Sequence, residues 1–155
     1  MSIVRHIEKQ YFEIENQYAI NEFNARVNGF SIKEAYWKKK RELNTHAYFL
    51  FLFTRLEDHI KTQSTQLIQK KQTDISHWKT RAVWDNIEEP EKLHFKKKLA
   101  LLTEKGNTDY NTIADYYKLR NTIAHGSTIT NITTVVNMIS VFTNIKKYFK
   151  ELKGK

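Results

Sequence analysis

The chain reads as all-α, an up-and-down bundle of five to seven helices, and three observations predict it. Only four glycines and one proline, Pro90, interrupt 155 residues, so long helices need few breakers to end them. Apolar residues recur at three-, four- and five-residue steps, the helical period. No segment alternates apolar and polar residues strictly over strand length. A content of 40% hydrophobic and 28% charged residues is that of a globular chain, with apolar surface enough to offset chain entropy. The length fits a single domain over 1–155.

Taken in order, Ile7, Tyr11, Ile14, Tyr18 and Phe23 predict an amphipathic helix from about Val4 to Val27, ended by Asn28-Gly29. Ser31-Ile32-Lys33-Glu34 has the form of a capping box and opens a second helix. It runs through Lys38-Lys39-Lys40-Arg41, and a kink or short break is expected near Asn44-Thr45. The most apolar helix comes next, to about Lys71, with Phe49, Phe53, Leu56, Ile60 and Leu67 in one stripe. The added Leu50, Phe51 and Leu52 predict burial on more than one side.

Asp74 is placed to cap a shorter helix holding Ile75, Trp78, Val83 and Trp84, and Pro90 suits the first turn of another that ends at Lys105-Gly106. Asp109 is expected to cap a helix from Tyr110 to about His125. Thr128 or Thr130 then opens a last helix with Val135, Ile139, Phe142, Ile145 and Phe149, and the lysine-rich end from Lys150 is expected to fray.

Twenty-six Lys and Arg against 17 Asp and Glu give a net charge of +9, which suits polyanionic partners such as nucleic acid or an anionic membrane surface, or simply a solvated exterior. With no cysteine, disulfides, thiolate zinc sites and cysteine nucleophiles are excluded. The longest apolar run, Ala47 to Phe53, is too short to span a bilayer. The first nine residues lack a signal-peptide core, so a cytoplasmic location is expected and the sequon at Asn131 carries no glycan. His6, His46, His59, His77 and His94 form no metal-binding spacing, and no cofactor is implied. Glycine-rich phosphate loops and nucleophile elbows are missing.

The most informative stretch is Leu119-Arg120-Asn121-Thr122-Ile123-Ala124-His125-Gly126. Arg120 offers a fork of donors for phosphate oxygens, and His125 is the side chain that takes and returns a proton near neutrality. On a helix Asn121 and His125 share a face with Arg120 beside them, and Gly126 eases the turn that closes it. Tyr117 can pack the guanidinium or offer its hydroxyl to a bound group. A plainer reading stands beside this one: His125 favoured by the helix dipole, and Arg120 in a surface ion pair with Asp115 or Glu57. The runs Lys38-Lys39-Lys40-Arg41, Lys70-Lys71, Lys96-Lys97-Lys98 and Lys146-Lys147 can supply RNA phosphate contacts, although each alone reads as a solvated face. Tyr116, Tyr117, Trp78 and Trp84 can stack bases if exposed, but at helical spacing they read as core.

Arg120-Asn121-Thr122-Ile123-Ala124-His125 resembles the Arg, polar residue, three others, His pattern of the HEPN superfamily of small helical domains. Phe53-Thr54-Arg55-Leu56-Glu57-Asp58-His59-Ile60 is similar to that family's early core helix. The resemblance covers about residues 45 to 150 and leaves the N-terminal helices of 1–44 without a motif. It implies a bundle that pairs as a homodimer and cleaves RNA without a metal by 2′-hydroxyl attack. His125 moves protons in that scheme, Arg120 holds the phosphate, Asn121 orients either of them, and Glu57 braces the set. It further implies a toxin or antiviral effector, with a restraining partner such as a nucleotidyltransferase-like antitoxin. The alternative is a non-catalytic RNA- or protein-binding module of the same fold.

Overall fold

The computed structural model describes residues 2–124 and 137–154. Among them the chain forms six α-helices, one 3-10 turn and no strand. The helices are α1 (Ser2–Val27), α2 (Ser31–Gln72), α3 (Trp78–Asp85), α4 (Phe95–Leu102), α5 (Thr108–Ala124) and α6 (Met138–Glu151), with the 3-10 turn at Pro90–Lys92. They build two compact units, Met1–Leu52 with Arg120–Lys146, and Phe53–Leu119 with Lys147–Lys155.

In the first unit α1 ends as its Asn-Gly signal predicts. Gly29 takes a φ of +71°, open to glycine without a Cβ penalty. Its amide donates to the Arg26 carbonyl at 3.1 Å and that of Phe30 to Ala25 at 2.8 Å, a Schellman closure that satisfies free carbonyls. The α2 helix then starts one residue earlier than a capping box needs. The Phe30 carbonyl already accepts from the Glu34 amide, which makes Ser31 the first helical residue instead of the cap.

No break occurs at Asn44-Thr45, and α2 is continuous. The Thr45 hydroxyl is hydrogen-bonded to the Tyr11 hydroxyl at 3.1 Å, so packing against α1 overrides a weak local propensity. Val4, Ile7 and Tyr11 of α1, Phe49 and Leu52 of α2, Ile123 of α5, and Met138, Val141, Phe142 and Ile145 of α6 are buried. The Tyr11 ring meets Tyr48 edge-on at 5.4 Å and Phe142 at 5.8 Å. Phe23, expected in the apolar stripe of α1, is 58% exposed, and Phe51, expected to extend the burial of α2 to a second side, is 43% exposed.

The second unit is built on the other half of the α2 stripe. Phe53, Leu56, Ile60, Leu67 and Ile68 are buried with Phe95 and Leu99 of α4, Ile113 of α5, and Tyr148 of α6. Burial pushes the Tyr148 hydroxyl up to about 12. Helix starts differ here from expectation. His77, not Asp74, flanks α3, because the Asp74 carboxylate accepts from the Ser76 amide at 2.9 Å instead. Pro90 opens only the short 3-10 turn, since extended backbone at Leu93 (ψ 135°) ends it before α4 begins.

Asn107 Oδ1 accepts from the Tyr110 amide at 2.8 Å and caps α5, while Asp109 binds Lys147 at 2.8 Å. Asn137 Oδ1 accepts from the Ser140 amide at 3.2 Å at the start of α6, whereas Thr128, Thr130 and Val135 lie outside the described residues. Against the expected fraying, the described C-terminal residues are packed down. Leu152 is buried, its carbonyl lies 2.8 Å from His59 Nε2, and the Gly154 amide donates to Gln63 Oε1 at 3.0 Å.

Candidate functional site

Arg120 and Asn121 lie near the end of α5, Asn121 opening its last turn, and both are half-buried. Adjacent residues on a helix do not face one another, yet the long arginine side chain curls back. Its Nη1 donates to Asn121 Oδ1 at 2.9 Å. Asn121 thereby fixes one edge of the guanidinium, a planar group whose five-donor fork matches the spacing of phosphate oxygens. The neighbouring Ile123 is buried and anchors this end of α5 in the first unit, whereas Thr122 and Ala124 are exposed. His125, the proton carrier expected from the sequence, lies outside the described residues, as does Gly126. Asp115, one of the two alternative partners for Arg120 beside Glu57, is bound by Lys118 at 2.9 Å.

Glu57 and Tyr117 belong to the second unit. The Tyr117 ring stacks on Phe95, centroids 4.5 Å apart and planes at 13°, with Phe53 and His94 within 6.3 Å. Glu57 is half-buried and helps to offset the charge of Lys98.

Of the basic run on α2, Lys38 is exposed, Lys39 reaches Glu42 at 3.0 Å and Lys40 lies 5.4 Å from the Tyr36 ring centre. Arg41 is held between Glu15 at 2.6 Å and Glu22 at 2.8 Å, and these bonds hold its proton more tightly than in a free arginine. Its fork is thus engaged in tying α2 to α1, and the lysines form the solvated part of the run.

The sequence groups Lys98 with Lys96 and Lys97 in a solvated run, yet Lys98 is only 6% exposed. Its Nζ donates to the Glu91 carbonyl at 2.7 Å, and burial, with Lys61 nearby, lowers its pKa. The spacing carries the signal: Lys98 comes three residues after Phe95 and immediately before Leu99, both buried, so it lies on the inner face of α4. In the same unit a cleft of about 400 Å³ is lined by Asp58, Lys61, Thr62, Thr65, Gln66 and Glu91.

Among the described residues, no three His, Asp or Glu side chains are grouped to hold a metal ion, and no helix is long and apolar enough to cross a membrane. Comparison with protein-family models, curated proteins and solved structures gives no match.

Proposed function

We propose that this protein is a metal-independent endoribonuclease of HEPN type, acting as a homodimer in the cytoplasm as a toxin or antiviral effector. The observation that carries the reading is the Arg120–Asn121 hydrogen bond at the end of α5, with Asn121 four residues before His125 in the sequence. A guanidinium set by a carboxamide, with a histidine four residues further along the sequence, supplies the donor fork and the proton carrier that phosphate transfer needs.

In the proposed reaction His125 takes the proton of a ribose 2′-hydroxyl as its oxygen bonds to the adjacent phosphorus. The P–O5′ bond breaks, the 5′-oxygen gains a proton, and a 2′,3′-cyclic phosphate and a 5′-hydroxyl result. One imidazole cannot be base and acid at the same instant, which is why two motif copies facing one cleft suit the chemistry. Arg120 offsets the charge that builds on the phosphate oxygens.

Arg120→Ala and His125→Ala are each expected to lower cleavage of tRNA or mRNA by about a hundred-fold or more, with circular dichroism unchanged. Arg120→Lys restores little, because a lysine lacks the fork. Asn121→Ala costs about ten-fold through a less ordered guanidinium. Loss of helix content in Arg120→Ala contradicts the reading and favours a non-catalytic binding module, in which the Arg120–Asn121 bond is a structural cap.

A further inference from the structure

The α3 helix is unusual in burying none of its eight residues. It is nonetheless held in place. Gln72 Nε2, at the end of α2, donates to the carbonyls of Trp84 and Ile87 at 3.0 Å each. Trp84 is half-buried, while Trp78, six positions earlier, is 64% exposed. Six helical steps turn about 120°, so the fixing that seats Trp84 also directs Trp78 outward.

The charges that flank this indole along the sequence are mostly positive. From 70 to 81 the chain carries Lys70, Lys71, Lys79 and Arg81 against Asp74 alone. The Asp74 carboxylate is engaged by Ser76, and the Arg81 pair with Asp85 is loose at 3.8 Å. Lys79 Nζ lies 5.8 Å from the Trp78 ring centre, and Arg81, three residues on, shares its face.

We propose that α3 is a docking platform for single-stranded RNA, with a base stacked on Trp78 and the flanking phosphates on Lys79 and Arg81. The choice of RNA rests on the ribonuclease reading; the platform rests on the placement of α3. An apolar protein partner that buried Trp78 would have to strip water from the adjacent ammonium and guanidinium groups, whereas a nucleotide strand supplies a ring for the indole and anions for the cations. Stacking needs no particular base, so the platform accepts a strand of any sequence.

The test is fluorescence anisotropy of a labelled oligouridylate of about twelve nucleotides with the full chain in the cleavage-inactive His125→Ala background. Trp78→Ala is expected to weaken binding about ten-fold or more, Trp78→Phe to recover most of it, and Lys79→Glu to weaken it and flatten its salt dependence. Equal affinity with and without Trp78 overturns the platform. So does a Trp78→Ala effect confined to the sedimenting mass of the protein, which assigns the surface to a protein contact. Because binding is read without cleavage, Trp78-dependent binding by a chain whose wild type cuts no RNA keeps the platform and removes the ribonuclease reading. Cleavage by wild type with Trp78-independent binding does the reverse.

Discussion

Arg41 stands between two carboxylates that are 16% and 12% exposed, and these bonds join the arms of the α1–α2 hairpin. Arg41→Ala leaves Glu15 and Glu22 partly buried without their partner, at a cost of about 2 kcal/mol, read as a lower melting temperature. An unchanged melting temperature contradicts a structural role for this residue. His46 on the same helix is buried with Nδ1 lacking a hydrogen-bond partner among the described residues. Burial holds its pKa below the ordinary 6.5, with Glu42 opposing and Lys39 reinforcing the shift. The unfolded chain therefore takes the proton first. The stability His46 contributes is complete above about pH 6.5 and is lost as pH falls from there toward the lowered folded value. Urea midpoints between about pH 7.5 and about pH 5.5 are expected to drop in the wild type and to drop less in His46→Leu.

At the scale of elements, the C-terminal segment shows how close packing fixes a residue. A Cβ on Gly154 would lie 2.5 Å from the Gln63 carbonyl oxygen and 3.2 Å from Leu67. Gly154→Ala therefore costs about 1 kcal/mol and speeds amide exchange at Leu152, whose carbonyl is the partner of His59. Exchange as slow as in the wild type contradicts that docking.

The long stripe Phe49, Phe53, Leu56, Ile60 and Leu67 was legible in the sequence because many turns of α2 repeat it. Caps were less so. Asn107 and Asp109 are both capping types two residues apart, and only the Asn107 hydrogen bond to the Tyr110 amide decides between them. In α3, eight residues long, two turns of period do not tell the inner tryptophan from the outer. Lys98 is buried because its ammonium finds the Glu91 carbonyl seven residues away, a partner that no helical spacing names. Arg120 and Asn121 were legible as a motif, but their mutual bond was not, since neighbours on a helix are not expected to meet.

For the molecule as a whole, the charge of +9 makes the proposed association with RNA an ionic event. Lysine–phosphate contacts release counterions, so binding of RNA weakens linearly in log–log form as salt rises. A flat salt dependence contradicts a basic docking surface. Binding alone does not distinguish an enzyme from a binding module; cleavage does. The most direct measurement is incubation of total RNA in EDTA with the wild type and with His125→Ala, with the product ends mapped. Cutting by the wild type alone, leaving 2′,3′-cyclic phosphate and 5′-hydroxyl ends, is the predicted result; intact RNA in both samples, or equal cutting by both, contradicts it.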